Sequence, residues 1–484
     1  MSSDIYYTTN PDEWTALEGL YISEETPPNP VEGVDLFTVG LAGKCVRGPE
    51  TPQFIGDKAR FVEVYGTLRE TPAGAIVGEV YKALLNKPFG SLVIRRIAAV
   101  DAALATHSFN ATATPIIRVD ASSRGAWGNS LKVAIEAATD AVSNHFNLRV
   151  DYLGKQVVYI NLDVTTGNDN TLAVIGDDVG VWIKVTKLAD GRPDNIALTA
   201  LTAGSDGTAV DADYAAGITD LASYDGVAVC LVPEAAPTQA TFNGTLVTLA
   251  ASAVDRIFLT WSGVHNQSKS GDDTAKLAQI TTPSRRIAWC YNTLKVVDPD
   301  TGFKIDVAPH TLMASILSQV AIDVHPGASE ALPMAAGIAG VFNTSLSRGD
   351  LKQALKDGIC CVENTKKGFR FRSAVMTDGS EIVDRRELDF ILGSEADFLD
   401  EFVKTKNIEE RRAQMAGGLT TFLSGLRDAH RIVEEFAVRT NVTTDNQRGK
   451  GIEIIEQQIR LVGHIRFLVL RTIAGTGVTV EATA

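Results

Sequence analysis

Three short runs constrain this chain more than any other feature, because each holds an uninterrupted apolar stretch: "VAVCLV" (227–232), "DRIFLTW" (255–261) and "IAWCY" (287–291). A strand that alternates apolar and polar residues covers one face of a sheet, whereas a continuous apolar run must be buried on both. Segments with helical spacing lie between and around these runs. "DKARFVEVYG" (57–66) predicts a short helix. "TPAGAIVGEVYKALLNKPFG" (71–90) predicts a longer one, with Ile76, Val77, Val80, Leu84 and Leu85 on one face. Further helices are expected from near Asp211, over "QATFNGTLVTLAASAV" (239–254), over "HTLMASILSQVAIDV" (310–324) and over "RGDLKQALKDG" (348–358). With "SLVIRRIA" (91–98) as another strand, the alternation predicts a layered α/β core with helices on both faces of a sheet.

Residues 112–203 differ in character. They are rich in Thr, Val, Asp, Asn and Gly, and alternate in "SLKVAIEA", "NHFNLRVDYL", "KQVVYINLDV" and "VWIKVTKL". That pattern predicts an inserted antiparallel β domain. At its mouth, "SSRGAWGNSLKV" (122–133) places Gly125, Trp127, Gly128 and Asn129 together after the strand candidate "PIIRVD" (115–120). Gly128-Asn129 is expected to make a tight hairpin turn, with Trp127 covering its end.

Beyond residue 340, strands are expected at "ICCVEN" and "FRFRSAVM", helices at "ELDFILGSEADFLDEFVKT" and "IEERRAQMAGGLTTFLSGLRDAHRI", and strands at "VEEFAVRT" and "GIEIIEQQIRLVGHIRFLVLR". Both ends carry strand-like stretches with no local partner, "DIYYTT" (4–9) and "GVTVEA" (477–482). The proline-marked first 32 residues favour an extended arm. The resulting division is an N-terminal arm (1–32), two parts of one α/β core (33–111 and 204–340), an inserted β domain (112–203), an α+β C-terminal domain (341–472) and a C-terminal arm (473–484).

The net charge of −14 argues against a general nucleic-acid binder. All of it lies before residue 341; the remainder is charge-balanced. No apolar run is long enough to span a membrane, and the N-terminus lacks the pattern of a secretory signal. The five cysteines (Cys45, Cys230, Cys290, Cys360, Cys361) have no metal-ligand spacing; in the adjacent pair Cys360-Cys361 one thiol could be left for an intersubunit bond. Templates for nucleophilic, metal-dependent and phosphate-binding chemistry are absent, and the seven histidines are scattered. No catalytic, cofactor or metal-ligand set is therefore assigned. "VDRRELDF" (383–390) is expected to be a solvated strand-to-helix junction with exposed ion pairs, or else an intersubunit contact.

Taken in order, several segments resemble the contractile tail sheath proteins of myophages and related injection systems. "GLAGKCVRGPE" carries the family's R-G-P turn and "FVEVYG" its following helix. Gly125, Trp127, Gly128, Asn129, Leu131 and Val133 match a W-G-N turn and strand. "LTAGSDGTAVDADY" matches an L-x-G-G-x-D-G turn through Gly204, Asp206 and Gly207, with Ala203 in place of the first glycine. "VMTDGSEIVDRRELDFI" is similar to a further segment, with Asp384 where Val or Asn is usual. Asn292-Thr293 and Ala308-Pro309 also depart from the pattern and leave the subfamily open. The match runs from about Gly33 to Arg471.

The resemblance implies a structural subunit, not an enzyme, that polymerises as stacked hexameric rings around an inner tail tube. The sheath contracts to drive the tube through the host envelope for genome ejection. Baseplate and tail terminator proteins are the other implied partners, with no nucleic-acid or membrane partner. The implied place is the virion tail, assembled in the host cytoplasm. The core is implied to be subtilisin-like in shape without a triad. The terminal arms are implied to add strands to a neighbour's sheet, Ile5, Tyr6, Tyr7, Val478 and Val480 being donors and Phe436, Val438, Ile452 and Ile454 the receiving strands. Lys404, Lys406, Arg411 and Arg412 are implied to face the tube. The alternative within the class is the sheath of a bacterial contractile injection system or tailocin. Outside it stand an α/β hydrolase-like enzyme and a carbohydrate-binding module using Trp127 and Trp182.

Overall fold

A computed structural model of the chain describes residues 5–7, 20–22, 35–67, 78–85, 91–176, 178, 180–234, 240–253, 255–298, 302–331, 337–440 and 442–464. The chain forms two compact units, Gly33–Gly393 and a second built from Met1–Glu32 with Ser394–Ala484.

The larger unit is organised by an eight-stranded sheet. Its order is Gly368–Phe371, Ile359–Thr365, Ile287–Tyr291, Ile257–Thr260, Val229–Leu231, Val39–Gly43, Leu92–Arg96 and Gln53–Ile55. The interior pairs are parallel, and only the two outermost strands run antiparallel to their neighbours. The continuous apolar runs are the central strands, as their two-sided burial demands. Trp289 and Tyr291 point into one apolar layer, while Ala288 and Cys290 point into the other. Helices Lys58–Tyr65, Glu79–Leu85 and His310–Leu317 cover one face; Asp211–Ala222, Ala240–Ser252 and Arg348–Lys356 cover the other.

One helix is shorter than its periodicity suggested, and another runs to the limit of the described residues. Glu79–Leu85 is the described part of the 71–90 segment, so Ile76 and Val77 lie outside the described residues. The helix from His310 stops at Leu317. Its terminal carbonyls are taken by a buried guanidinium: Arg386 donates to the oxygens of Leu317 (2.8 Å) and Val320 (3.4 Å). A cation at a helix C-terminus satisfies carbonyls that have no partner within the helix.

That contact corrects the reading of "VDRRELDF". The segment is not a solvated junction: Arg386, Glu387 and Asp389 are all buried. Arg286 grips both carboxylate oxygens of Asp389 at 2.9 and 3.1 Å. The partners lie more than sixty residues away, so the local charge pattern could not reveal the burial.

The insertion between Leu92–Arg96 and Val229–Leu231 consists of two antiparallel sheets around one apolar core. Thr106–Ala111, Thr114–Ala121 and Ile183–Lys187 form the first; Leu131–Ala137, Phe146–Tyr152, Lys155–Leu162 and Ile196–Ala200 form the second. The expected hairpin at Gly128-Asn129 is therefore wrong, because the strands before and after it belong to different sheets. Residues Ala126–Ser130 make a 3₁₀ turn that carries the chain across. Trp127 does not cap an end; it is buried in the core, edge-on to Tyr152 at 5.6 Å, with its indole N–H donating to Ser123 O. Trp182 packs on the other side of Tyr152. Trp127 thus offers no platform for a sugar ring.

In the smaller unit, helix Glu409–Asp428 packs beside the hairpin of Val433–Arg439 and Glu456–Leu461. Gly418 lets Phe398 approach the helix, since a Cβ there would lie 2.3 Å from the ring. Helix Ile382–Asp400 belongs to both units in sequence.

Candidate assembly surfaces and the core beneath them

The residues singled out from the sequence fall into three groups. The first group, the glycine-rich landmarks, meets at one clasp although 75 residues separate its halves. Asn129 Nδ2 donates to Gly204 O (2.8 Å), and Gly204 N donates back to Asn129 Oδ1 (2.9 Å). Ala126 N donates to Asp206 Oδ1 at 2.9 Å. Gly204 is needed because a Cβ would sit 2.6 Å from Gly125 O, and Gly207 because its φ is +62° and a Cβ would meet Asp101 at 2.2 Å. Gly128 serves close packing: a Cβ would lie 2.7 Å from Ala105 Cβ and 2.8 Å from Ala121 Cβ. Arg96, at the end of a core strand, donates to Cys45 O, Gly48 O and Arg124 O, so one buried guanidinium ties the core to the mouth of the insertion. The clasp joins the entry and exit of the inserted domain and is structural.

The second group lies on strands. Ile5–Tyr7 pairs in parallel with Leu20–Ile22, which corrects the expectation that this stretch lacks a local partner. The twelve residues between them give the length a parallel crossover requires. Phe436 and Val438 are half-buried in Val433–Arg439, opposite Ile459 and Gln457. The guanidinium of Arg427 lies 5.5 Å from the Phe436 ring centre. The hairpin is a two-stranded sheet, so among the described residues its outer edges have no further strand. Ile452 and Ile454 are not on the strand as expected but precede it; the chain turns through Gly451 (φ +76°), and Ile454 N donates to Thr443 Oγ1. Val478 and Val480 lie outside the described residues.

The third group is the basic turn. Lys404, Lys406 and Arg411 are exposed and Arg412 is half-exposed, at the turn before helix Glu409–Asp428 and in its first turn. Arg412 donates to Asn407 Oδ1 and Arg411 to Gln414 Oε1; among the described residues none of the four forms an ion pair. Among the described residues, no hydrogen bond joins this group to the hairpin strands.

One feature was missed by the sequence. In open α/β sheets the crevice at the carboxyl ends of the strands, where strand order reverses, is the usual ligand position. Here that edge, near Val39–Gly43 and Val229–Leu231, carries a row of mutually paired groups. Glu79 accepts from Tyr214 Oη (2.8 Å) and Lys44 N (3.0 Å), and burial pushes its carboxyl up to about 7. Lys82 holds both oxygens of Glu234 at 2.9 Å, and His265 Nε2 stands 3.3 Å from the same carboxylate. His310 Nε2 donates to Val232 O, and burial brings its imidazole down to about 4, so it is neutral. These groups are occupied in holding helix Glu79–Leu85 and the strand ends. Their spacing in sequence gave no signal, because, apart from Glu79 and Lys82 on one helix, they come from separate segments. The five cysteines are buried, with the Cys45 and Cys361 thiols held well above their ordinary range by burial. None is therefore placed for the intersubunit disulfide that the sequence left open.

No family model matches the chain, and no curated protein is similar to it. Solved structures are. The sheath tail protein of Listeria innocua superposes with a TM-score of 0.60 at 13% identity, over 85% of this chain and 90% of that one. The sheath tail protein of Desulfitobacterium hafniense gives 0.58 at 14%, over 92% and 100%. The helical sheath of the anti-feeding prophage in its contracted state gives 0.55 at 12%, over 95% and 99%. The chain has the fold of contractile tail sheath proteins.

Proposed function

We propose that this chain is the structural subunit of a contractile sheath, polymerising helically around an inner tube. The observation that carries the reading is whole-chain likeness: 92% of the chain superposes on all of a sheath tail protein. Likeness to a helical sheath in its contracted state supports self-assembly and contraction. The parallel-sheet body is read as the subtilisin-like core of that family, without a triad and without an enzymatic role. Hexameric rings, an inner tube, a baseplate and a tail terminator are the partners this reading takes up. The particle is a virion tail assembled in the host cytoplasm; likeness to the anti-feeding prophage sheath favours an injection-system sheath as the second reading.

Strand exchange is proposed as the subunit link. A two-stranded hairpin is marginal alone and gains from added strands. Its open edges beside Phe436 and Val438 suit main-chain pairing with the arm of a neighbour, either Ile5–Tyr7 or the stretch of Val478 and Val480. Lys404, Lys406, Arg411 and Arg412 are proposed to meet the tube. Such head-to-tail contacts build open helical arrays. Removing residues 1–22, or residues 473–484, is expected to leave a folded monomer unable to polymerise. Polymers of normal geometry from both truncations would contradict the strand-exchange assignment.

A further inference from the structure

In the smaller unit, two buried oxygens lack the hydrogen bonds their burial demands, and both belong to one pair of side chains. Glu395, on helix Ile382–Asp400, is buried, and its Oε2 accepts at 2.5 Å from Nε2 of Gln457, on strand Glu456–Leu461. The other oxygen of each side chain, Oε1 of Glu395 and Oε1 of Gln457, is buried without a hydrogen-bond partner. Two unsatisfied buried acceptors are costly, and native structures rarely leave them without a reason.

One proton removes both deficits. An ionised carboxylate only accepts, and so does an amide oxygen, so neither satisfies the other. A protonated Glu395 donates from Oε1 to Gln457 Oε1 while the amide donates back to Oε2, the two-way pairing of a planar acid with a planar amide. Turning the amide over does not dispense with the proton. An amide oxygen would then face Glu395 Oε2 at 2.5 Å, a contact that needs a hydrogen between the two.

The surroundings do not favour the charged form. Burial raises the Glu395 carboxyl, and the Gln457 amide opposes that shift. One turn to either side on its own helix stand Ile391, Leu392, Phe398 and Leu399, while Asp397 and Asp400 are exposed. The charged residues of the hairpin strands, Glu434, Glu435, Arg439, Glu456 and Arg460, are all exposed, and Arg460 is held by Glu434 and Glu435 at 3.0 and 3.2 Å. Those of helix Glu409–Asp428 lie at its two ends.

We propose that Glu395 is protonated in the folded protein and that its pair with Gln457 is a pH-sensitive latch, holding the hairpin to helix Ile382–Asp400 while the proton is present and loosening it when the proton leaves to solvent. Ionisation turns a satisfied pair into a buried carboxylate beside an amide carbonyl. A two-stranded hairpin is the element that can give way. The latch acts within one chain and holds whether or not the hairpin receives a neighbour's arm.

Hydrogen exchange of the full-length protein, kept dilute enough to stay monomeric and followed from about pH 5 to about pH 8, tests the latch. Rates are divided by the intrinsic rate at each pH, so that base catalysis of exchange drops out. A carboxyl raised by folding stabilises below its unfolded value and loses that effect as pH climbs through its folded one. Protection of amides in Val433–Arg439 and Glu456–Leu461 is therefore expected to fall several-fold with rising pH in the wild type. Glu395→Gln pairs with Gln457 amide to amide and has no proton to lose, so its protection is expected to stay level. Gln457→Met takes away the partner and is expected to lose protection already at the acid end. Wild-type protection that does not change with pH, an equal fall in Glu395→Gln, or full protection of Gln457→Met at the acid end overturns the latch.

Discussion

Asn129 and Gly204 hold one another by two reciprocal hydrogen bonds, amide to carbonyl in each direction, across 75 residues of intervening β domain. The pair is one of several contacts that hold the entry and exit of the insertion together. Asn129→Ala strands the backbone amide and carbonyl of Gly204 together. It is expected to cost about 1–2 kcal/mol, since the site is solvent-accessible and water recovers part of the loss. Urea unfolding of the full-length protein measures it; an unchanged midpoint would show the clasp to be incidental.

The neighbouring positions make opposite predictions. Gly128→Ala pushes a methyl group against Ala105 and Ala121, and overpacking of this kind costs about 1–3 kcal/mol. Ala203, in contrast, stands at φ +68°, in the left-handed region that favours glycine. Ala203→Gly is expected to stabilise by up to about 1 kcal/mol by relieving that conformation. The two variants should move the thermal midpoint in opposite directions.

The contribution of Glu79 to stability should fall as pH rises from about 4.5 to 7, against the opposite contribution of His310, whose imidazole is brought down to about 4 by burial. The carboxyl of Glu79 titrates near 4.5 when unfolded and is pushed up to about 7 by burial in the fold. A group whose folded value is raised contributes fully below its unfolded value and loses that contribution as pH climbs through the folded one. The change amounts to at most about 3 kcal/mol for this residue. Asp272, buried against the indole N–H of Trp289 and also pushed up to about 7, adds in the same sense. Glu79→Gln should remove the falling component between about pH 5 and 7, so that variant and wild type differ in slope there; parallel profiles would contradict the assignment.

All five thiols should resist a thiol reagent in the native protein and react together on unfolding, because every cysteine is buried. Rapid labelling of any one under native conditions would show a cysteine to be reachable after all.

The sheet was legible because two-sided burial leaves a direct mark on sequence: no polar residue interrupts "VAVCLV" or "IAWCY". The landmark W-G-N turn was also visible, but its role was not. A glycine kept for close approach, as at Gly128, reads like one kept for a tight turn until the neighbours Ala105 and Ala121 are known. The buried charges Arg386, Glu387 and Asp389 read as a solvated strand-to-helix junction for the same reason: Arg386 is explained by carbonyls of Leu317 and Val320, and Asp389 by Arg286. Likewise Glu79 and Lys82 of one helix meet Glu234, His265 and His310 from three other segments, and only the topology of the sheet assembles them.

The account stands or falls on self-assembly. Electron microscopy of the purified full-length chain at rising concentration tests it most directly. Hollow tubes with regular transverse striations are the predicted result. A chain that stays monomeric at every concentration with both arms intact would contradict it.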